Sequence, residues 1–582
     1  MKQEALKMLE GRERKLVSRT YEGERFDVAF VKQLPLEGSA YPGFHPEVKT
    51  LKQGSVNGKD AKPLGCDIVF ERDVPVKLRD GVTIYTDILR PATREKVPAL
   101  IAWTPYGKHF HIHDFPGGIA RETVSNLQKQ ECPDPGFWCA HGYAVVQPDT
   151  RGAWNSEGDT VQWGREEGED ACDLIEWAAR QEWCSGKIGM NGNSWGAVGQ
   201  WWAAAQNPPH LAAIAPWEGL ADVYNEIICR GGIPDTGFQE LCVSLMTGHG
   251  YAENASDMLE KYPLASHPYW KSKMVPAEKI TVPAYIVASY VSTLHTHGTF
   301  DVYRRIGSKE KWLRVHNTHE WPDLYEYQED LKRFFDYYLK GIQNDWKQTP
   351  KVRLSVLDRE GADDVNRPEE DWPLPDTEYR RLFLDANKRT LDAETPEQEG
   401  AATYRADDRA GKVLFSMPVQ KDMEFTGYFA AHLYVSTDEA DDADLFVYVV
   451  KQDETGRLLP PVVKCAPFSG EKGAEMFIPN GRLRVSGRGL DEERSTEAEP
   501  VLKHVRCEKI EPGKVYRVDI PLWPIGMKVR QGQELVLIIS GYNLNPEEWP
   551  EIPPLPTVNK GNVTIHTGGE YRSYITAPCV ER

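Results

Sequence analysis

Ile188-Gly189-Met190-Asn191-Gly192-Asn193-Ser194-Trp195-Gly196-Ala197 is the stretch whose reading decides the fold. Gly192-x-Ser194-x-Gly196 is the pattern of a nucleophile elbow. There a strand turns sharply into a helix, and the serine between them holds a strained backbone that presents its hydroxyl above a sheet. The flanks agree. Trp183-Cys184-Ser185-Gly186-Lys187 reads as a turn and Ile188-Gly189-Met190 as a short buried strand. Ala197, Gln200-Trp201-Trp202 and Ala203-Ala204-Ala205 read as a helix stopped by Pro208-Pro209. A serine so placed is activated by a histidine, which points to a serine hydrolase.

Outward from the elbow, short apolar runs recur: Ala99-Leu100-Ile101-Ala102-Trp103, Tyr143-Ala144-Val145-Val146, Leu211 to Ala215, Ala284 to Ala288 and Trp312 to Val315. Each is short enough for a strand buried on both faces. The helical spacing of Ala171, Leu174, Ile175, Trp177 and Ala178 lies between two of them. Strands alternating with helices give an α/β fold with a mostly parallel sheet. The segment of about 222–280 turns helical and irregular and suits a cap over the sheet's active edge. Residues 1–65 read as a short helix and an extended N-terminal arm, 66–350 as the catalytic domain, and 351–378, acidic and proline-rich, as a linker. Residues 379–582 carry many short strands and scarcely any helix, so an all-β sandwich of jelly-roll type is expected there.

With 582 residues the chain is too long for one core. A net charge of −19 argues against nucleic acid or an anionic membrane as partner. No run of about 20 apolar residues occurs, so no membrane span is expected. The N-terminus Met1-Lys2-Gln3-Glu4-Ala5-Leu6-Lys7 has no signal-peptide core. Ten cysteines without a CxxC pair suit free thiols in a reducing, cytoplasmic setting. The expected partner is a small-molecule ester or amide, with a homodimer as the assembly to test.

An acyl-transfer site also needs oxyanion donors. Tyr106 follows a central strand, where one donor normally arises, and the backbone N–H of Trp195, directly after the serine, supplies the other. Thr104-Pro105-Tyr106-Gly107-Lys108, Asp149-Thr150-Arg151-Gly152 with Ser156-Glu157-Gly158, and Gly189-Met190 through Trp195 occur in this order. With Pro512-Gly513-Lys514 and Ile565-His566-Thr567-Gly568-Gly569, they make the chain from about residue 66 onward resemble the cocaine-esterase/X-prolyl-dipeptidyl-peptidase family of α/β-hydrolases. The resemblance implies an α/β-hydrolase domain with a helical cap and a C-terminal jelly roll. It also implies Ser194 as nucleophile, Tyr106 as side-chain oxyanion donor and Trp195 as backbone donor.

The family register puts the catalytic histidine after the last strand, at His319, with His316 three residues earlier as the alternative. Relatives carry an aspartate just after the strand Ala284 to Ala288. Here Ser292 stands in its place, and a serine cannot stabilise an imidazolium by charge. Glu218, after the preceding strand, and Asp301 are candidate acids, with Glu320 a further option. Other readings remain open: an amidase or dipeptidyl peptidase holding a substrate amine with Glu218, Asp222 or Glu226, and a non-hydrolytic binding or biosynthetic protein. Alternating His109, His111 and His113, with His295 and His297, offer a zinc alternative, but no carboxylate or cysteine completes a recognisable motif, so neither metal nor cofactor is expected.

Overall fold

The computed structural model describes residues 9–39, 41–56, 58–111, 119–292, 294–359, 362–463, 473–547 and 552–582. Its first body is an eleven-stranded sheet. The strands are β3 (Glu47–Leu51), β4 (Ile68–Lys77), β5 (Thr83–Pro91), β6 (Val97–Ile101), β7 (Ala144–Asp149), β8 (Cys184–Asn193), β9 (Leu211–Trp217), β11 (Ala284–Ser289), β12 (Lys311–His316), β13 (Val352–Val356) and β14 (Asp364–Glu369). They lie in the order β14-β13-β12-β11-β9-β8-β6-β7-β5-β4-β3. From β7 through β13 neighbours run parallel, while β3, β4, β5 and β14 are antiparallel additions at the edges. β6, β7 and β11 are buried along their whole length, as strands covered on both faces must be. The helices Arg165–Ala179 and Trp195–Ala205 pack together over one face, and Gln328–Lys340 lies against β8 and β9 on the other. The chain leaves β6 toward β7 and returns to β8 on the opposite side. The crevice above the carboxyl ends of β6 and β8 is therefore a topological switch point, where doubly wound sheets place their ligands.

The cap expected near 222–280 is a π-helical turn (Tyr224–Ile228), three helices (Gly237–Leu245, Ala255–Lys261, Pro268–Lys271) and the short strand β10 (Tyr251–Glu253). The N-terminal segment differs from the expected arm. Residues 1–8, where the short helix was expected, lie outside the described residues. Arg14–Tyr21 (β1) and Glu24–Lys32 (β2) form a hairpin whose second strand pairs with β10 of the cap. The alternation along β1 and the buried Phe26, Val28, Phe30 and Val31 of β2 explain why these residues pair rather than trail.

The expected linker is likewise structured: β13 and β14 extend the eleven-stranded sheet. Val352, Leu354 and Val356 are fully buried. The charges that look like a solvated linker are ion pairs to the C-terminal domain. Asp358 meets Arg530 at 2.5 Å, Asp364 meets Lys528 at 2.7 Å, and Arg367 meets Glu424 at 2.6 Å. From Glu378 onward the described residues form an all-β domain, with no helix beyond the three-residue turn Val485–Gly487. No helix among the described residues is long and apolar enough to cross a membrane.

Candidate active site

β8 ends at Asn193, and Ser194 joins it to the helix Trp195–Ala205 with φ 54° and ψ −118°. This is the strained geometry of an elbow, and it is over-determined by its surroundings. The Ser194 amide donates to the carbonyls of Trp217 and Glu218 at 3.0 and 3.1 Å. Glu218, itself at φ 52°, closes the end of β9. Gly192 is required by close approach: a Cβ there would lie 2.8 Å from the carbonyl oxygen of Glu131. Trp195, as the first residue of the helix, has no intrahelical acceptor for its N–H, which leaves that donor for an oxyanion.

Tyr106 follows β6 as expected and turns its ring edge to Trp195, with centroids 6.2 Å apart. Its backbone is fixed at both ends: its amide donates to Thr104 Oγ1 at 3.2 Å, and its carbonyl accepts from Trp154 Nε1 at 3.0 Å. Burial, reinforced by the carboxyl groups of Glu131 and Glu320, pushes the Tyr106 phenol well above its usual range. It therefore stays protonated and able to donate. Below it, the indole N–H groups of Trp103 and Trp195 both donate to Glu167 Oε1, at 3.1 and 2.8 Å, and the Trp163 ring packs 4.6 Å from that of Trp195. Burial raises Glu167 to about 7 despite these donors.

Among the described residues, the imidazole within reach of Ser194 is neither His319 nor His316. It is His295, on the turn between β11 and the helix Thr296–Arg305, with Nε2 3.3 Å from Ser194 Oγ. Its Nδ1 lies 3.1 Å from Glu320 Oε2, at the start of the helix that follows β12, and 3.1 Å from Ser292 Oγ. Ser292 also accepts from the His295 amide at 3.0 Å, so the residue at the expected acid position fixes the ring's backbone as well as touching the ring. Burial pushes the Glu320 carboxyl up, but the charge and hydrogen bond of His295, with the charges of His319 and His316, outweigh it and hold Glu320 below its ordinary value.

The two histidines expected from register do other work. His319 caps the helix Glu320–Glu326, its ring accepting from the Trp321 amide at 3.5 Å. His316 is buried at the end of β12, with Nε2 2.5 Å from Glu218 Oε1. Burial opposes its charge, yet Asp323 and Glu218 raise its pKa above the ordinary value. Glu218 spends its other oxygen on Ser289 Oγ at 2.8 Å. Asp301 pairs with Arg305 at 2.6 Å, one turn along its own helix. Glu226 is held by His297 Nδ1 at 2.8 Å and by the Ala221 amide at 2.7 Å.

The zinc alternative is not assembled as expected. His109 Nε2 meets Asp149 at 3.0 Å, His111 Nδ1 meets the carbonyl of Gln128 at 2.9 Å, and His113 lies outside the described residues. Among the described residues, the set that could offer three ligand atoms within 4.8 Å is Glu218, His295 and Glu320. In it His295 already faces Ser194, and Glu218 already serves His316 and Ser289. The residue that sequence reasoning did not place beside Ser194 is His295. The available signal was an exchange of types: a histidine after β11 where an acid was expected, and an acid, Glu320, after β12 beside the expected histidine.

Residues 80–320 match the model of the X-Pro dipeptidyl-peptidase S15 family, and residues 344–576 that of the X-Pro dipeptidyl-peptidase C-terminal non-catalytic domain. The chain is 36% identical to a crystallised CocE/NonD family hydrolase from Staphylococcus aureus, over 88% of this chain and 94% of that one, with a TM-score of 0.82. It is 26% identical to the cocaine esterase of Rhodococcus sp. (strain MB1 Bresler), over 88% of this chain and 98% of that relative. An α-amino acid ester hydrolase shares the fold at 17% identity, covering 90% of this chain and 98% of its own, with a TM-score of 0.66.

Proposed function

The chain belongs to the CocE/NonD family of hydrolases and is a serine hydrolase, and on that premise we propose that it cleaves a carboxylic ester through an acyl-enzyme on Ser194. The observation that carries the reading is the unbroken line Ser194 Oγ, His295 Nε2, His295 Nδ1, Glu320 Oε2, with gaps of 3.3 and 3.1 Å. His295 takes the serine proton as Oγ attacks the carbonyl carbon, and Glu320 stabilises the imidazolium that forms. The negative charge moves onto the former carbonyl oxygen, where the Trp195 amide and the Tyr106 hydroxyl donate to it. Collapse expels the alcohol, which takes its proton from His295. Water, deprotonated by the same ring, then attacks the acyl-enzyme, and the acid leaves with Ser194 restored.

One feature favours an ester over an aminoacyl substrate. The buried carboxylates offered for an amine, Glu218 and Glu226, are each held by a histidine, His316 and His297. The competent serine–histidine line also argues against a purely binding or non-hydrolytic protein. The all-β domain is read as a jelly roll that closes the catalytic domain rather than as a sugar-binding module. The nine cysteines among the described residues are unpaired, which supports a cytoplasmic setting.

The test is labelling by a fluorophosphonate together with turnover of aryl esters and of aminoacyl-prolyl anilides. Stoichiometric labelling that disappears in Ser194→Ala, with aryl esters preferred, is expected. Equal ester turnover in wild type and Ser194→Ala overturns the reading. Preference for the prolyl anilide moves it to the peptidase alternative.

A further inference from the structure

A cavity of about 670 Å³ lies where the cap, the helix Thr296–Arg305 and the all-β domain meet. Glu226 and Arg230 from the cap side, His297 and Arg304 from the helix, and Arg482 and Trp523 from the all-β domain all line it. A smaller pocket of about 60 Å³ shares Glu226, Arg230 and Arg482 with it. That pocket is also lined by Leu294, which precedes His295, and by Phe238, on the helix Gly237–Leu245. The shared walls bring this space up to Leu294, the residue before the proposed catalytic base.

Most charges around this space are paired. His297 meets Glu226 at 2.8 Å, Arg305 meets Asp301 at 2.6 Å, Arg482 Nη1 meets Asp235 at 2.8 Å, and Arg304 bonds Glu499. Arg230 has no such partner among the described residues. It is 8% exposed, its Nη1 and Nη2 donate to the side-chain and backbone oxygens of Asn480 at 2.9 and 2.6 Å, and its guanidinium lies 3.6 Å from the centroid of a Trp523 ring. Among the described residues no carboxylate stands within ion-pair distance of it. The neighbouring Arg482 keeps Nε–H buried without an acceptor among them. The charges of Asp235 and Glu226 reach Arg230 only from beyond ion-pair distance, and a buried cation without a direct counter-charge is unfavourable unless something supplies that charge. The aromatic face and neutral amide around Arg230 hold the guanidinium in place without neutralising it. In a chain of net charge −19, an uncompensated cation aimed into a cavity is a built feature.

We propose that this cavity is the subsite for a carboxylate carried by the substrate, so that the preferred ester bears a free acid group remote from the scissile bond. Arg230 takes the carboxylate through charge-assisted hydrogen bonds, the Arg482 Nε–H adds a donor, and Trp523 packs against the Arg230 plane. This inference rests on the Ser194 esterase reading.

The experiment compares 4-nitrophenyl hemiadipate and hemisuberate with 4-nitrophenyl hexanoate and octanoate at low ionic strength. In wild type the kcat/KM ratio of acidic to neutral ester is expected to be tenfold or more, falling as salt is added. The ratio falls toward one in Arg230→Gln and stays well above one in Arg230→Lys. Free adipate is expected to inhibit competitively. Trp523→Leu, which keeps the cation, lowers the ratio less than Arg230→Gln and serves as the reporter if Arg230→Gln fails to fold. A wild-type ratio of one or below, an unchanged ratio in folded Arg230→Gln, or activation by adipate overturns the subsite. If no ester is turned over and Ser194 takes no fluorophosphonate, the hydrolase reading itself has failed. Ser194-dependent turnover of neutral esters without anion preference rejects the subsite alone.

Discussion

Alanine substitution at His295, His316 and His319 separates three imidazoles near the ends of β11 and β12 by two readouts, turnover per titrated serine and melting temperature. His295→Ala removes the only ring within hydrogen-bond reach of Ser194 Oγ among the described residues. Loss of a triad base lowers kcat by about 10⁴–10⁶, or ~5.5–8 kcal/mol of transition-state stabilisation. His316→Ala acts on a different quantity. It leaves the buried Glu218 carboxylate with only the Ser289 hydroxyl as side-chain donor, and breaking a buried ion pair in this way costs about 3–5 kcal/mol of stability. Its melting temperature should fall by several degrees, while the molecules that remain folded turn over within about tenfold of wild type. His319→Ala forfeits a cap at 3.5 Å and an edge-to-face contact with Trp321 at 4.9 Å. That is worth about 1 kcal/mol of local stability and only a small factor in kcat. The assay is burst titration with a fluorophosphonate, steady-state turnover of 4-nitrophenyl hexanoate, and calorimetry on each variant. A His319→Ala protein that folds, labels and yet loses more than a thousandfold in kcat would refute the assignment, as would a His295→Ala protein retaining a tenth of the activity.

Tyr106→Phe should lower kcat by about 10²–10³ with little change in KM, since its hydroxyl is engaged by the oxyanion only in the transition state. Glu320→Gln should lower kcat by about 10³–10⁴. The Glu320 carboxyl is held below its ordinary 4.5, so the wild-type acidic limb above that pH is not its titration. Glu167 is raised by burial from 4.5 to about 7, so the native state keeps a proton that the unfolded chain has released; the resulting penalty is absent below pH 4.5, grows to pH 7 and then stays at about 3 kcal/mol. Glu167→Gln, which still offers an oxygen to both indoles, should therefore melt higher than wild type at pH 8 and equally at pH 4, and a constant difference across that range would reject the cause. Chelator treatment should leave ester turnover unchanged, whereas added zinc should inhibit by drawing His295 toward Glu218 and Glu320. Loss of activity on chelation would assign the metal a working role.

What was legible in the sequence was what local physics dictates. β6, β7 and β11 are apolar runs because both faces are buried. The elbow backbone at Ser194 is recognisable because only a few residue patterns tolerate it, and the place of Tyr106 because it follows β6. The strands β13 and β14 were hidden because Asp358, Asp364 and Arg367 carry charges that a sequence shows as solvated, and only the folded chain shows them paired with Arg530, Lys528 and Glu424. The proposed base, His295, was hidden for a different reason. Register assigns residue types to the loops after successive strands, but the chemistry requires only that an imidazole reach Ser194 Oγ and that a carboxylate reach the imidazole. β11 and β12 are parallel neighbours whose last residues, Ser289 and His316, stand opposite each other. Loops leaving two such strands open onto the same space, so histidine and acid can exchange loops while the reacting atoms keep their places. Ser292 fits that exchange. It occupies the position where an acid was expected, and its hydroxyl reaches both the amide and Nδ1 of His295, so on the proposed reading a residue that looks like the loss of a catalytic group orients the base.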